Sequence, residues 1–351
     1  MDFADRLLAW YRDHGRHDLP WQQPRTPYRV WLSEIMLQQT QVTTVIPYFE
    51  RFVADYPDVH ALASASEDDV LHRWSGLGYY ARARNLRKAA IIVSNELAGE
   101  FPRNVDDLTA LPGIGRSTAG AILALGYGIR APILDGNVKR VLARFHAIDG
   151  WPGRTATVQR LWDEAERATP AADAVTDYTQ AIMDLGATLC TRTKPLCPVC
   201  PQRVHCVAHQ NGRELDYPGK KPKKVKPQRA TTMLLAEHDG SVLLARRDSR
   251  GLWGGLWSLP EIADEAGVAE WASEFGAGIA ATEPWSPLKH SFSHYDLTIH
   301  PLRVQLDRKP VRVAEQDKTL WYKLDAPADV GLAAPVARLI DELRMRVVAA
   351  P

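Results

Sequence analysis

The cysteines of the chain form one group whose spacing suits metal binding. There are four, and they follow the pattern C-x6-C-x2-C-x5-C: Cys190, Cys197, Cys200 and Cys206. Structural zinc sites generally use two close pairs of ligands, whereas only Cys197 and Cys200 form a close pair here. Four unevenly spaced thiolates suit a cubane 4Fe-4S cluster, in which each iron takes one cysteine. The pattern favours this cluster over zinc, which stays the alternative, and it argues against disulfides.

Two acidic residues have surroundings that suit acid–base chemistry. Glu34 is flanked at helical spacing by Trp31 and Leu37, so we expect its carboxyl group to be at least partly buried. Burial raises the pKa of a carboxyl group and lets it act as a general acid near neutral pH. Asp135 precedes a predicted helix, where it could act in catalysis or simply cap the helix. Cleavage of a glycosidic bond uses one carboxyl group to protonate the leaving group and another to stabilise the sugar cation.

The segment from Leu111 to Thr118 combines two glycines with the start of a helix. Gly113 and Gly115 let the backbone approach a ligand, and the following helix offers free N–H groups and its positive dipole end to an anion. In a nucleic-acid-binding protein that anion is a backbone phosphate, held without reading the base sequence. An ordinary turn between helices has the same pattern, so the spacing alone leaves both interpretations open.

The composition indicates a globular chain of two domains. Of the 351 residues 45% are hydrophobic and 24% charged, and the formal net charge of +1 does not itself indicate a nucleic-acid partner. No apolar run approaches the roughly 18 residues of a membrane span, and no signal peptide is evident. We therefore expect a cytoplasmic protein, nucleoid-associated if bacterial. Basic residues concentrate in 72–92 and 213–229, and the second stretch is proline-rich, which predicts an extended linker suited to a phosphate backbone.

The apolar pattern before this linker is helical. Thr26-Pro27 supplies an N-cap and a first-turn proline to the apolar run that extends from Tyr28 to Val42. Gly-rich turns, rather than alternating strands, separate the further helical patterns, which begin at Val70, Asp106 and Thr118.

The pattern after the linker is mixed. Asp239-Gly240 lies between Thr231–Ala236 and Val242–Arg246, which predicts a β-hairpin. Leu297–Leu306 alternates in the manner of a half-buried strand, and residues 335–347 carry apolar side chains at helical spacing. The chain thus reads as an all-α part followed by a smaller α+β part.

These features together resemble a known superfamily. The Gly-containing turn, Asp135 and the four-cysteine loop are similar to the helix-hairpin-helix, iron–sulfur DNA glycosylases, which include endonuclease III. The segment WLSEIMLQQTQV, from Trp31 to Val42, narrows the resemblance to the adenine DNA glycosylases, the MutY family. The resemblance extends over about Leu19 to His294, with the motifs in the family's order. It implies an all-α helix-hairpin-helix glycosylase domain with an iron–sulfur loop, joined to an α+β Nudix-like C-terminal domain.

The resemblance also implies roles for individual residues. Glu34 would protonate the adenine base, Asp135 would stabilise the sugar cation, and Asn137 would order the catalytic water or Asp135. Gln39 and Tyr79 would wedge into the duplex opened by base flipping, although alone they would read as a surface amide and a core tyrosine. The remaining implied contacts are with the base pocket (Leu37, Gln38 and Gln180) and with the DNA backbone (Gly113, Gly115 and Ser117).

Ser117 bears on whether the strand is also cut. Superfamily members that cut it carry a lysine at this position, because an amine must form a Schiff base with the sugar. The serine predicts a monofunctional glycosylase that leaves an abasic site. The expected substrate is double-stranded DNA containing adenine opposite 8-oxoguanine or guanine, and the expected state is a monomer.

The C-terminal part is similar to a Nudix domain with an incomplete metal site. In the register of the Nudix pattern that starts at Gly255, the chain keeps Glu261 but has Ala269 for an arginine and Ser273 for a glutamate. A site that lacks an acidic ligand should bind Mg²⁺ poorly, so we expect recognition without hydrolysis. A chance match to an amphipathic helix is the alternative.

The segment Phe292-Ser293-His294 is similar to the one that inspects 8-oxoguanine in this family. Oxidation turns the N7 acceptor of guanine into an N–H donor, which a hydroxyl such as that of Ser293 can detect by accepting a hydrogen bond. Phe292 and His294 would then position Ser293 against the base. Alone, the same run would read as the polar edge of a strand end.

The predicted organisation has three parts. Residues 1–212 form the glycosylase domain, with the cluster loop at 190–206; residues 213–229 form the linker; residues 230–351 form the Nudix-like domain. Two other functions remain open. One is a glycosylase of the same fold for another lesion, and the other is a damage sensor that binds without cutting.

Overall fold

The computed structural model describes residues 1–222, 225–292, 294–308 and 318–348. Its described residues divide into two compact units: residues 1–64 with 85–223, and residues 65–84 with 224–351. The predicted glycosylase domain was continuous up to residue 212, whereas the stretch 65–84 belongs to the second unit. Ser293, to which the sequence assigned the reading of 8-oxoguanine, lies outside the described residues.

Most of the described helices lie in the first unit. In chain order they are α1 (Phe3–His14), α2 (Pro27–Leu37), α3 (Val42–Asp55), α4 (Val59–Ser64), α5 (Glu67–Trp74), α6 (Ala81–Glu96), α7 (Val105–Ala110), α8 (Arg116–Ala121), α9 (Gly136–Phe145), α10 (Thr155–Ala168), α11 (Ala172–Asp184), α12 (Val207–Gln210), α13 (Gly267–Phe275) and α14 (Ala334–Val348). Of these, α5, α13 and α14 lie in the second unit. α8 and α11 continue into π-helical turns at Ile122–Gly126 and Leu185–Leu189. None of these described helices has both the length and the apolarity that crossing a bilayer requires.

The start of α2 follows the sequence prediction, and its end comes earlier than the apolar run suggests. The Thr26 hydroxyl accepts a hydrogen bond from the Arg29 N–H at 3.2 Å, and Pro27 occupies the first turn. The helix ends at Leu37, and Gln39 then adopts a positive φ of 58° before α3 begins. Trp31, Leu32 and Met36 are fully buried, so other parts of the protein surround most sides of α2.

The second unit is built on one sheet. Its strands are β1 (Gln228–His238), β2 (Ser241–Arg246), β3 (Trp257–Ser258), β4 (Glu261–Ile262), β5 (Gly278–Pro284), β6 (Leu288–Ser291), β7 (Asp296–Arg308) and β8 (Thr319–Lys323). β1 runs parallel to β7, and the other pairs are antiparallel. The predicted hairpin is confirmed: Asp239 and Gly240 join β1 to β2 with φ values of 47° and 66°, as a type I′ turn requires. The strand β7 and the closing helix α14 are confirmed as well.

Residues 65–84 are attached to the second unit by polar contacts. Arg246 of β2 forms ion pairs with Glu67 at 3.5 Å and with Asp68 at 3.2 Å. The Tyr80 hydroxyl donates to the Leu332 carbonyl at 3.0 Å. These partners come from distant parts of the sequence, which is why local patterns assigned 65–84 to the helical part.

The basic linker is shorter than predicted. The Tyr217 carbonyl accepts from the buried Arg144 guanidinium at 3.0 Å, and the Gly219 N–H donates to the Gly150 carbonyl at 3.1 Å. Residues 213–219 therefore belong to the packed structure of the first unit. At the other end β1 already begins at Gln228.

Candidate active site and cluster loop

Glu34 lies near the end of α2 between buried neighbours. The residue keeps part of its surface, yet its carboxyl group lies deep enough that burial raises its pKa to about 8, with a further contribution from the negative charge of Asp135. A carboxyl group with this pKa carries its proton at neutral pH and can donate it to a bound base.

Asp135 is the N-cap of α9. Its Oδ1 accepts a hydrogen bond from the Val138 N–H at 2.8 Å, so the capping role that the sequence left open is present. Burial raises the pKa of Asp135, while backbone hydrogen bonds and the nearby cations Arg140 and Lys139 oppose that rise. These donors and charges stabilise the carboxylate form at a position where the helix dipole also favours it.

The two carboxyl groups interact although they are far apart in the sequence. The charge of Asp135 is among the causes of the raised pKa of Glu34. Burial raises the pKa of both groups, but backbone hydrogen bonds and nearby cations oppose the rise at Asp135, whereas the charge of Asp135 adds to the rise at Glu34. One acid and one carboxylate in a shared site is the arrangement that cleavage of a glycosidic bond uses.

Asn137 lies in the first turn of α9, next to Asp135. Its backbone N–H is one of the donors to Asp135, and its side-chain oxygen accepts from the Arg140 guanidinium at 2.7 Å. Gly186 approaches it so closely that a Cβ there would lie 2.6 Å from the Asn137 Cβ. The amide group is therefore held in one orientation beside the carboxylate.

The turn between α7 and α8 presents its glycines to the outside. Gly113 has a φ of 81°, and Gly113, Gly115 and Arg116 are exposed. A Cβ on Gly115 would meet nothing within 4 Å, so the backbone N–H groups at the start of α8 are open to a ligand. The Ser117 hydroxyl accepts from the Leu134 N–H at 3.0 Å, which ties this helix start to the residue before Asp135.

The predicted base-pocket residues have different surroundings. Leu37 and Gln38 end α2 and are half-buried, while Gln39 is exposed. Gln180 is buried, and its amide donates to the fully buried Asp184 at 2.8 Å. The predicted contact of Gln180 with an extruded base stays a prediction.

Tyr79, the second predicted wedge, belongs to the second unit. It has a positive φ of 49°, and 51% of its surface is exposed. The buried Arg82 guanidinium lies 5.6 Å from its ring centre and donates to the carbonyls of Leu77 and Gly78 at 3.1 and 3.2 Å. The ring is thus exposed on a turn that Arg82 holds in place, and such a ring suits insertion into a duplex.

The four cysteines line one pocket of the first unit. They are free thiols, and the pocket walls include the apolar residues Val141, Leu185 and Leu189. Burial raises the pKa of Cys197 and of Cys200 to about 11, with smaller contributions from neighbouring negative charges. Thiols in such a site become thiolates when a metal centre supplies the positive charge, so the donor set fits a metal centre.

Two arginines of α9 hold the cluster loop. Arg140 donates to the carbonyls of Cys190 and Gly186 at 2.6 and 2.7 Å. Arg144 is buried and donates to the Cys190 sulfur at 3.3 Å and to the Thr191 carbonyl at 2.7 Å. Sequence reasoning did not assign these roles, although the spacing of four residues on the helix after Asp135 places both arginines on one face.

The segment around Phe292 forms the loop between β6 and β7. The Phe292 N–H donates to the Tyr295 carbonyl at 2.9 Å, and His294 is exposed. The Lys226 ammonium donates to the Phe292 carbonyl at 2.7 Å and to the Ser291 hydroxyl at 3.1 Å. The end of the basic linker is thus bound to the loop, a contact that the sequence did not reveal.

Glu261, one of the glutamates that the chain keeps from the Nudix pattern, is already bound. Glu261 forms an ion pair with Arg247 and accepts from the Thr231 hydroxyl at 3.3 Å. Ala269 and Ser273 lie on α13. Within the described residues of the second unit, no group of three His, Cys, Asp or Glu side chains is arranged to hold a metal ion.

Two family models match the chain. Residues 32–167 match the HhH-GPD superfamily base excision DNA repair protein, and residues 231–342 match the NUDIX domain. The helical fold and the buried carboxyl pair accordingly define a DNA base excision repair glycosylase that carries a Nudix domain.

Curated relatives indicate which kind of DNA glycosylase the chain is similar to. The adenine DNA glycosylase of Buchnera aphidicola subsp. Acyrthosiphon pisum is 38% identical over 345 residues, which cover 98% of each chain. The adenine DNA glycosylase of Homo sapiens is 34% identical over 84% of this chain and 65% of its own. The chain belongs to the adenine DNA glycosylase family, whose members hydrolyse the N-glycosidic bond of adenine in DNA.

Solved structures agree on the fold of the helical part. A thermostable thymine-DNA glycosylase matches with a TM-score of 0.52 and 26% identity, covering 60% of this chain and 95% of its own. A non-covalent endonuclease III–DNA complex matches with a TM-score of 0.50 and 22% identity, covering 60% and 94%. The predicted fold class and family are thereby confirmed.

Proposed function

We propose that this protein is a monofunctional glycosylase that removes adenine mispaired with 8-oxoguanine or guanine in double-stranded DNA. The observation that carries the proposal is the pair formed by Glu34, with a pKa of about 8, and Asp135, whose carboxyl group is held by the Val138 N–H and faces the cations Arg140 and Lys139. Membership of the adenine DNA glycosylase family indicates that the base removed is adenine. The two carboxyl groups provide the acid and the charge that cleavage of its bond to the sugar requires. A single copy of the chain contains both carboxyl groups, which supports action as a monomer.

The reaction starts with proton transfer from Glu34. The protonated carboxyl group donates to the adenine ring, and the base leaves with the electrons of the glycosidic bond. The sugar becomes an oxocarbenium-like cation, which the Asp135 carboxylate stabilises by charge or by a transient bond. Asn137, held by Arg140, orders the attacking water against Asp135. Water adds to the cation and gives its proton to the Asp135 carboxylate, which leaves an abasic site and free adenine.

Ser117 supports the monofunctional assignment. Its hydroxyl accepts a hydrogen bond from Leu134, and a hydroxyl cannot form the Schiff base that strand cleavage by β-elimination needs. The strand should therefore stay intact until alkali cleaves it at the abasic site.

The DNA contacts follow from exposed groups. Backbone N–H groups at Gly113, Gly115 and Ser117 would bind a phosphate without reading sequence. Gln39 of the first unit and Tyr79 of the second are each exposed at a positive φ, which supports the proposal that each inserts into an opened duplex. The extruded base would then meet the pocket formed by Leu37, Gln38 and Gln180.

Recognition of the opposite base is assigned to the loop of Phe292, Ser293 and His294. The support is the aromatic packing of Phe292 and the exposure of His294 at a hairpin tip. A hydroxyl acceptor in this loop would distinguish the N7–H of 8-oxoguanine from the bare N7 of guanine. Glu261 is paired with Arg247 and is therefore not free to hold a metal ion, which supports recognition of the base without Nudix hydrolysis.

We assign the four cysteines to a 4Fe-4S cluster. Membership of the superfamily and the shared pocket of Cys190, Cys197, Cys200 and Cys206 support this choice over zinc. When bound, the cluster would supply the charge that keeps the thiolates ionised. The loop it orders exposes three cations that could meet phosphate: Arg192, Lys194 and Arg203.

A single-turnover assay tests the proposal. The enzyme is mixed with a duplex that carries labelled adenine opposite 8-oxoguanine, and the strand is resolved with and without alkali. Cleavage only after alkali supports the proposal, and a duplex with adenine opposite thymine is the control. Cleavage without alkali would contradict monofunctional action. Tight binding with no base release would favour the damage sensor, and release of another base the other-lesion alternative.

A further inference from the structure

Trp253 occupies a strained and buried position beside the recognition loop. Its φ is 53°, a conformation that bulky residues rarely adopt, and only 9% of its surface is exposed. Its ring centre lies 5.5 Å from that of Phe292 and 5.8 Å from that of His290. Backbone strain persists only where the surroundings over-determine it, and it concentrates at functional positions.

The turn around Trp253 is closed by its own hydrogen bonds. Arg247 donates to the Leu252 carbonyl at 2.9 Å, and its guanidinium lies 5.8 Å from the Trp253 ring. The Leu256 N–H donates to the Trp253 carbonyl at 3.0 Å, and the Gly255 N–H to the Arg247 carbonyl at 3.2 Å. The indole ring therefore has little freedom to move independently of this turn.

The other side of the turn around Trp253 contacts residues 65–84. Arg84 donates to the Gly254 carbonyl. A Cβ on Gly255 would lie 3.0 Å from the Glu67 carboxylate and 3.4 Å from the Arg84 Cδ, and Gly255 itself has a φ of 78°. No larger residue fits there without a shift, so the side chains of Glu67 and Arg84 lie directly against the backbone of this turn.

Tyr79 is carried by the same stretch of chain. The Arg84 N–H donates to the Tyr80 carbonyl at 3.1 Å in the first turn of α6. Arg82 fixes the turn that carries Tyr79 through the Leu77 and Gly78 carbonyls. A continuous set of contacts within the second unit thus runs from Phe292 through Trp253, Gly254 and Arg84 to Tyr79.

We propose that Trp253 is a positioning residue for specificity, which couples the loop that inspects the base opposite adenine to the Tyr79 wedge. The inference rests on the proposed function, because it assumes that Phe292 meets the opposite base and Tyr79 enters the duplex. An 8-oxoguanine seated against Phe292 would favour the arrangement in which Tyr79 is inserted. Guanine would favour it less.

The test compares single-turnover rates on adenine opposite 8-oxoguanine and opposite guanine. Trp253→Ala removes both ring contacts, so we expect the rate ratio to fall about tenfold, which matches the upper range for an aromatic pair. Trp253→Phe keeps an aromatic ring and should restore most of the ratio. Trp253→Gly relieves the positive φ, so it should unfold at a higher temperature than Trp253→Ala while showing the same loss of ratio.

The matched control is Trp285→Ala. Trp285 lies in the same unit with 8% exposure and is stacked by Arg346 at 4.3 Å. Its loss should lower stability without changing the ratio. An unchanged ratio in Trp253→Ala, or an equal loss in Trp285→Ala, would overturn the inference.

Double mutants test the coupling itself. Trp253→Ala should have little further effect on the ratio once Phe292→Ala or Tyr79→Ala is present, because the three residues act as one set. Additive losses would overturn the coupling. A wild-type enzyme that removes adenine at equal rates opposite 8-oxoguanine and opposite guanine would overturn the 8-oxoguanine part of the proposed function as well. If the wild type shows the preference and the Trp253 variants keep it unchanged, only the role of Trp253 is overturned.

Discussion

Glu34 and Glu261 are the same residue type placed in opposite circumstances in the two units. Glu34 lies between buried side chains of α2, and burial together with Asp135 raises its pKa to about 8. Glu261 lies at a strand where Arg247 and Thr231 bind its oxygens. A carboxyl group can therefore act as an acid where burial keeps it protonated. Where a cation pairs with it, it stays an ionised partner of that cation.

The same contrast extends to the neighbours that each fold supplies. In the first unit the polar groups of α9 are directed at Asp135, Asn137 and the cysteine loop. In the second unit one acidic position of the Nudix pattern is lost, since Ser273 stands where the pattern has a glutamate. The first unit therefore contains the carboxyl pair on which the proposed chemistry depends, and the second retains a NUDIX domain in which one acidic position of the pattern is lost.

The substitution Glu34→Gln should have the largest effect. Glutamine keeps the size of the side chain but cannot transfer a proton, so adenine release in single turnover should slow about 10³-fold or more. Affinity for the duplex should change little, because the wild-type side chain is uncharged at neutral pH. Residual activity within tenfold of the wild type would show that another group is the acid.

Loss of the proposed 4Fe-4S cluster should have the next largest effect, and it should be confined to the first unit. Cys200→Ser removes one ligand of the pocket, so bound iron should be lost and the first unit destabilised by about 3 kcal/mol or more. Iron and sulfide analysis with hydrogen exchange measures both effects, and exchange in β1 and β7 serves as the internal control. One zinc ion per wild-type chain, with no iron, would reverse the cofactor assignment.

The pH dependence of stability should be smaller but diagnostic. The pKa of Glu34 in the folded protein, about 8, lies above its ordinary value of 4.5, so the folded state binds the proton more tightly than the unfolded state. The free energy of unfolding should therefore decline as pH rises from 4.5 to 8, by about 1–3 kcal/mol. Denaturant unfolding across this range measures it, and Glu34→Gln should lack this part of the decline. Adenine release should slow above pH 8 for the same reason.

The smallest effect is expected for Glu261→Gln. The ion pair with Arg247 is partly exposed, with 27% and 30% of the two side chains accessible, so its loss should cost less than about 1 kcal/mol. Adenine release should stay within about twofold of the wild-type rate, well below any effect of a general acid. A large loss of activity would mean that Glu261 has a role in the reaction and would erase the contrast with Glu34.

Local signals were sufficient for much of the fold. Thr26-Pro27 determines the start of α2, and Asp239-Gly240 determines a hairpin, because capping and type I′ turns depend on a few adjacent residues. The apolar spacing of α14 likewise indicates a helix in any context. The buried surroundings of Glu34 could also be predicted, since they come from the helix that carries it.

Contacts between distant residues could not be predicted. The influence of Asp135 on Glu34 depends on how the fold places the start of α9 relative to α2, and no local pattern encodes that placement. The same holds for the hydrogen bond between Arg144 and Cys190, and for the ion pair of Arg246 with Asp68. Family resemblance supplied the roles of Gln180 and Tyr79, which their own surroundings in the sequence do not indicate.

The discontinuous second unit has a consequence for synthesis on the ribosome. His72 and Tyr80 contact carbonyls 258 and 252 residues further along the chain. At about 5–20 residues per second, the ribosome needs roughly 10–50 s to deliver those partners after it has made α5. Throughout this interval Leu71 lacks the turns at Gly255 and Gly331 that lie against it in the folded protein. A nascent chain stalled in the linker would expose Leu71 to chaperones and proteases, and a gene fragment beginning at residue 230 would encode a sheet without the helix that completes it.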